Sequence, residues 1–98
     1  MAFKILWSPT ALEDLREISE FIARDDPAAA DRVGRRIIGT VELLAGNPHL
    51  GRVLPERPHL AYREIVQRPY RILYHVRQRT QSIEVLRIWH GARGVPKL

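Results

Sequence analysis

A chain of 98 residues with 45% hydrophobic and 28% charged side chains can bury one modest core, and is too short to divide readily into two. It contains no cysteine, which excludes a disulfide framework and thiolate metal sites and makes a reducing, cytoplasmic setting the expectation. The first seven residues are too short and too polar for a signal peptide, and no apolar run approaches a membrane span. The formal charge of +5 is unevenly placed: residues 1–45 hold 6 basic and 8 acidic side chains, net −2, and residues 46–98 hold 10 and 3, net +7. A basic second half suits an anionic partner, whether nucleic acid, an acidic peptide or an acidic protein surface. Only Lys4 and Lys97 are lysines. The arginine fork fits carboxylate and phosphate equally, so it does not choose among these partners.

In chain order, Phe3, Ile5 and Trp7 alternate with Ala2, Lys4 and Leu6, which predicts a short strand. Ser8-Pro9 then reads as a helix start, with the hydroxyl as N-cap and proline at the first helical position. The helix is expected over 9–24, its apolar stripe formed by Ala11, Leu15, Ile18 and Ile22 and widened by Leu12 and Phe21. Glu13, Asp14 and Glu17 suit the positive end of its dipole, and Glu20 stands four residues before Arg24. Asp26-Pro27 repeats the start signal. A second helix is expected over 27–45, with Ala30, Val33, Ile37, Val41 and Leu44 inward, Gly34 allowing close approach, and Gly46 ending it. The short link makes an αα-hairpin that can lie across one face of a sheet.

Residues 46–59 hold three prolines and two glycines and are expected to form a loop. Three strands follow, at 60–66, 70–76 and 82–90, separated by Gln67-Arg68-Pro69 and by the polar 77–81. In the middle strand Ile72, Tyr74 and Val76 share one face, and Arg71, Leu73 and His75 the other. In a plausible register Arg63, Arg71 and Arg87 share a face, with Val85 and Trp89 beside Arg87, and His90 and Arg93 at the strand's exit. Such a cluster can clamp phosphate, with a histidine as acid or base. The predicted class is α+β, in the order β-α-α-β-β-β, as a single domain over 1–98 with a mainly antiparallel sheet, the helical hairpin on one face and a flexible tail at 92–98.

Other chemistries lack their residues. No glycine loop follows a strand as a phosphate cradle requires, and Ser8, Ser19 and Ser82 have no nucleophile-elbow context. His49, His59, His75 and His90 have no helical ligand spacing, so neither metal nor cofactor is expected.

Six motifs, in order, carry a resemblance: W-S-P-x-A-x-x-D-L at 7–15, P-x-A-A at 27–30, N-P-x-x-G-R at 47–52, Y-R at 62–63, Y-R-I-x-Y-x-V at 70–76 and V-L-R-I-W-H-G-A-R at 85–93. In their order and spacing they resemble the RelE/ParE superfamily of type II toxin–antitoxin toxins, associated with plasmid stabilisation. The resemblance implies a cognate antitoxin encoded nearby and a homodimer or a heterotetramer with it. It also implies one of two activities. ParE-like members poison DNA gyrase, the side that the long hairpin and its W-S-P-x-A start favour. RelE-like members cut messenger RNA on the ribosome, and for them the matched residues would be Arg63, Arg71, His90 and Arg93. That set is incomplete here: Glu64 and Ile65 follow Arg63 where a second lysine belongs, and Gly91 follows His90 where a tyrosine stands. For partner binding the resemblance points to Arg63, Arg71, Arg87, Trp89, Arg93, Val95 and Leu98. A toxin-like domain retained as a non-toxic binding or regulatory module is the third expectation.

Overall fold

The structure, a computed structural model, describes residues 2–98. Strand β1 (Lys4–Trp7) leads into helices α1 (Pro9–Ala23) and α2 (Pro27–Leu43), followed by strands β2 (Arg52–Val53), β3 (Arg63–Gln67), β4 (Tyr70–Arg77) and β5 (Ser82–His90). Both helix starts follow their local chemistry. The Ser8 hydroxyl accepts from the Ala11 amide at 3.0 Å and the Asp26 carboxylate from the Ala29 amide at 3.1 Å, each with proline in the first turn. The predicted Glu20–Arg24 pair does not form: Glu20 pairs with Arg16, and Arg24 lies over the Phe21 ring. Nor does Gly34 mark a close approach, since a Cβ there would meet no atom within 4 Å.

The sheet runs β1-β5-β4-β3-β2. Every neighbouring pair is antiparallel except β1 with β5: the hairpin carries the chain from β1 at one border to β2 at the other, and the strands that follow lead back until β5 lies parallel to β1. β2 is an addition to the predicted order. Two residues within the proline-rich loop pair with β3 as a fifth strand. β3 begins at Arg63 rather than residue 60, because Pro58–Leu60 form a 3₁₀ turn and Ala61 is left-handed at φ 57°.

The inner face carries the main core. Ile72, Val85 and Ile88 of the sheet meet Ala11, Ile37 and Val41 of the hairpin, and all six are buried. Toward the other end, Leu44, Tyr74 and Ile83 continue it. The outer face is also covered: Leu54, from the loop after β2, packs on Leu73 and Trp89, with Tyr62 and Leu86 around them.

Register places the arginines. Arg71 pairs with Trp89 and Leu73 with Arg87, so Arg71 and Arg87 share the outer face. Arg63 pairs with Tyr74 and lies on the inner side, contrary to the expectation of a three-arginine face. Leu86 is an extra residue on β5, between the Leu73–Arg87 and Tyr74–Val85 pairs. This bulge breaks strict alternation. Val85 therefore faces the core while Arg87 and Trp89 face outward.

Candidate functional site

Two buried carboxylates organise the outer face. The Glu64 side chain is fully buried and lies between Arg52, at 2.7 Å, and Arg71, whose Nε donates to it. The two terminal nitrogens of Arg71 donate to both oxygens of Glu56, at 2.8 and 2.9 Å. All three nitrogens of Arg71 thus serve carboxylates, and its side chain is only 13% exposed. The Glu56 hydrogen bonds, with help from Glu64, raise the Arg71 pKa against the opposing effect of burial; the Arg71 bonds in turn hold Glu56 below its ordinary range.

Beside this network lies a cleft of about 730 Å³ whose wall includes Arg52, Glu56, Arg68, Arg71 and His90. His90 is fixed in it. Its Nδ1 accepts from the Ala92 amide at 3.0 Å, its ring stands edge-on to Tyr70, and the following amide, Gly91, donates to the Pro69 carbonyl. Arg71 and His90 therefore line one cleft although His90 pairs with Tyr70, one position away from the Arg71–Trp89 pair, while Arg63 stands apart and donates to the Gly51 carbonyl at 2.7 Å.

The second carboxylate is Asp14 of α1. β1 stops pairing with β5 at Val85, and α1 takes over that border. The Ser8 amide donates to the Val85 carbonyl and its hydroxyl to the Leu86 carbonyl. Asp14 accepts from the Ile88 amide at 3.0 Å and from both Nε and Nη2 of Arg87, at 2.8 and 2.9 Å. These bonds raise the Arg87 pKa, with burial opposing them. Asp14, expected as a dipole partner, is thus a buried sheet-edge acceptor.

Residues 91–98 lie against the same face. Gly91–Arg93 form a 3₁₀ turn, and Arg93 stacks on the Trp89 ring at 4.4 Å. Trp89 itself is 1% exposed, so it supports the surface rather than forming it, whereas Val95 and Leu98 are 55% and 48% exposed. Among the described residues no three His, Asp or Glu side chains gather as a metal site, and no helix is long and apolar enough to cross a membrane.

Residues 5–95 match the family described as the ParE toxin of the type II toxin–antitoxin system parDE. The chain belongs to this ParE toxin family. It is 37% identical over 97 residues to toxin Y4kP of Sinorhizobium fredii, covering 97% of this chain and 95% of that one. It is 33% identical over 91 residues to toxin RelE2 of Caulobacter vibrioides, covering 92% and 97%. Among solved structures, one of the chromosomal ParDE system of P. aeruginosa superposes with a TM-score of 0.72 at 23% identity, over 91% of this chain and 96% of that. One of the Mycobacterium tuberculosis RelBE2 toxin–antitoxin complex gives 0.69 at 22%, over 92% of each. These structures share the α+β fold.

Two of the six sequence motifs have physical roles in this chain. In W-S-P-x-A-x-x-D-L, Ser8 caps α1 and ties it to the β5 bulge, Ala11 is fully buried under the sheet, and Asp14 closes the β5 border. In N-P-x-x-G-R, the Gly51 amide donates to the Tyr74 hydroxyl at 2.8 Å, and that hydroxyl donates to the Pro48 carbonyl at 2.9 Å. A Cβ at Gly51 would strike the Glu64 carbonyl and stand 2.8 Å from the Tyr74 hydroxyl, so only glycine allows this approach. Glu56, Glu64 and Asp14 were missed as organising groups from sequence alone. No local signal marks Glu64, because Arg63 and Gln67 make its strand polar at both ends.

Proposed function

We propose that this ParE-family toxin arrests DNA gyrase in the cytoplasm and is neutralised by a cognate antitoxin encoded beside it. The observation that carries the reading is the state of Arg71. A phosphoryl clamp needs a cation with free donors aimed at the reacting group. Here Glu56 and Glu64 occupy all three nitrogens of Arg71, and Glu64 and Ile65 follow Arg63 where the second lysine of the nuclease pair belongs. A toxin that works by contact asks no such freedom. It needs an accessible surface, and of the residues expected to bind partners, Arg93, Val95 and Leu98 provide it at the C-terminus. The antitoxin part of the reading is supported by the net +7 of residues 46–98, which suits an acidic segment that folds on binding.

One observation favours the nuclease alternative: Arg71 and His90 open on one cleft with Arg52 and Arg68. The two readings separate in a single experiment. The same purified preparation is assayed for gyrase supercoiling and for ribosome-dependent messenger RNA cleavage. The expected result is loss of supercoiling with no codon-positioned cuts. Unimpaired supercoiling with codon-positioned cleavage overturns the proposal, and neither activity supports the non-toxic binding module. The His90→Ala variant sharpens the test. As a gyrase poison it still inhibits; as a nuclease it loses an acid or base worth about a hundredfold or more in rate.

A further inference from the structure

The last five residues, 94–98, form a strap whose backbone is held at two carbonyls by side chains of β5. The Trp89 indole donates to the Gly94 carbonyl at 3.0 Å, and Nη1 of Arg87 donates to the Lys97 carbonyl at 3.0 Å. Pro96, between these anchors, is buried, while Val95 and Leu98 remain about half exposed. Neither donor is a free surface group. Trp89 is packed against Leu54 and Leu73, with the guanidinium groups of Arg93 and Arg87 at 4.4 and 5.0 Å from its ring. Arg87 is aimed by Asp14, which takes its Nε and Nη2 and leaves Nη1 directed at the strap. The planar fork makes this possible, because one guanidinium can serve a carboxylate along one edge and a carbonyl from another nitrogen. The first helix therefore governs the direction of the C-terminus through a single arginine.

We infer that Arg87 and Trp89, with Asp14 aiming the former, are positioning residues that lock the strap and present Val95 and Leu98 as a preformed apolar pair to the protein that this toxin arrests. The inference rests on the gyrase reading for the identity of that protein. Locking the strap in advance removes the cost of ordering it on contact, so the anchors act on affinity without touching the target.

The test uses the full chain and two variants. Trp89→Phe keeps an aromatic side chain but removes the indole N–H together with the five-membered ring. Arg87→Lys keeps the charge, but its ammonium cannot serve Asp14 and the Lys97 carbonyl with the fork's geometry. Heteronuclear NOE values at the 94–98 amides report strap order, and gyrase supercoiling reports inhibition. The wild-type strap is expected to be as rigid as β5. In both variants the NOE should fall across 95–98 while 82–90 stays unchanged, and the concentration for half-maximal inhibition should rise roughly fivefold, the scale of one lost hydrogen bond. A purely structural role for Trp89 would lower the melting temperature only, leaving strap order and inhibition intact below the melt. Should Arg87→Lys fail to fold, Trp89→Phe decides alone. A wild-type strap as mobile as a free peptide overturns the inference, as does a variant whose loosened strap inhibits at wild-type concentration. Wild-type protein that leaves gyrase untouched overturns the gyrase reading instead, and the NOE comparison then decides the anchoring.

Discussion

The two faces of the sheet are held by different kinds of contact. Inside, six or more aliphatic side chains interdigitate between hairpin and sheet, and no single one is unique in chemistry. Outside, three buried apolar residues, Leu54, Leu73 and Trp89, lie among directed polar bonds from Glu64, Arg71, Asp14 and Arg87. Dispersion and burial are distributed over many atoms, so the inner face can absorb a small change by local repacking. The outer face cannot, because removing one partner leaves another buried and uncompensated.

The largest break expected is Arg87→Ala. It leaves the Asp14 carboxylate buried with only the Ile88 amide as partner, and should cost about 3–5 kcal/mol in urea unfolding. Next is Gly51→Ala, whose methyl group would force β2 away from the Glu64 carbonyl and the Tyr74 hydroxyl, at about 2–3 kcal/mol by the same measurement. Tyr74→Phe tests a directed polar contact of the inner face: it keeps the ring but orphans the Gly51 amide and the Pro48 carbonyl, for about 1–2 kcal/mol. Among the aliphatic contacts of the inner face Ile88→Val should cost about 1 kcal/mol, although Ile88 is more deeply buried than Asp14. If Ile88→Val proved as damaging as Arg87→Ala, the contrast between the faces would fail.

The smallest effect is in pH. Burial, with Arg77 assisting and Glu84 opposing, lowers the His75 pKa below its ordinary 6.5. The unfolded chain then takes up that proton first, so stability present above 6.5 should decline as pH falls through the folded value. Glu56 behaves alike from 4.5 downward, because Arg71 stabilises its charged form. Urea midpoints measured from pH 8 to pH 3 should show two declines. His75→Gln should remove the first and Glu56→Gln flatten the second; a single decline unaltered by either variant would refute this assignment.

The inner face was largely legible in the sequence. Ser8-Pro9 and Asp26-Pro27 announce their helices locally, and the Ile72-Tyr74-Val76 alternation announces β4, because each signal lies within a few residues. The outer face was legible only in part. Alternation gives Arg71 and Arg87 a common face, as the register has them, but it puts Arg63 on the wrong side and Val85 beside the wrong neighbour. The bulge at Leu86 has no composition signal, and it shifts the faces on either side of it. Asp14 lies 73 residues before Arg87 and reads as an ordinary charge in a helix's first turns. Nothing local distinguishes a carboxylate that will be buried from one that will be solvated. β2 was hidden for the same reason, since two residues carry no periodicity.

The borders of this sheet bear on how the chain behaves while it is being made. Unpaired strand edges template association between chains. One border is β2, only two residues long, one of them Arg52. The other is β1, four residues long and carrying Lys4, and beyond it the bare stretch of β5 is sealed by a helix whose Asp14 takes the Ile88 amide. During synthesis, before that seal is set, this stretch of β5 is open to other copies. Asp14→Leu should therefore expose a ladder donor at the one long strand with a free side. Light scattering during refolding should rise more steeply with protein concentration for this variant than for Ile88→Val, which leaves the seal in place.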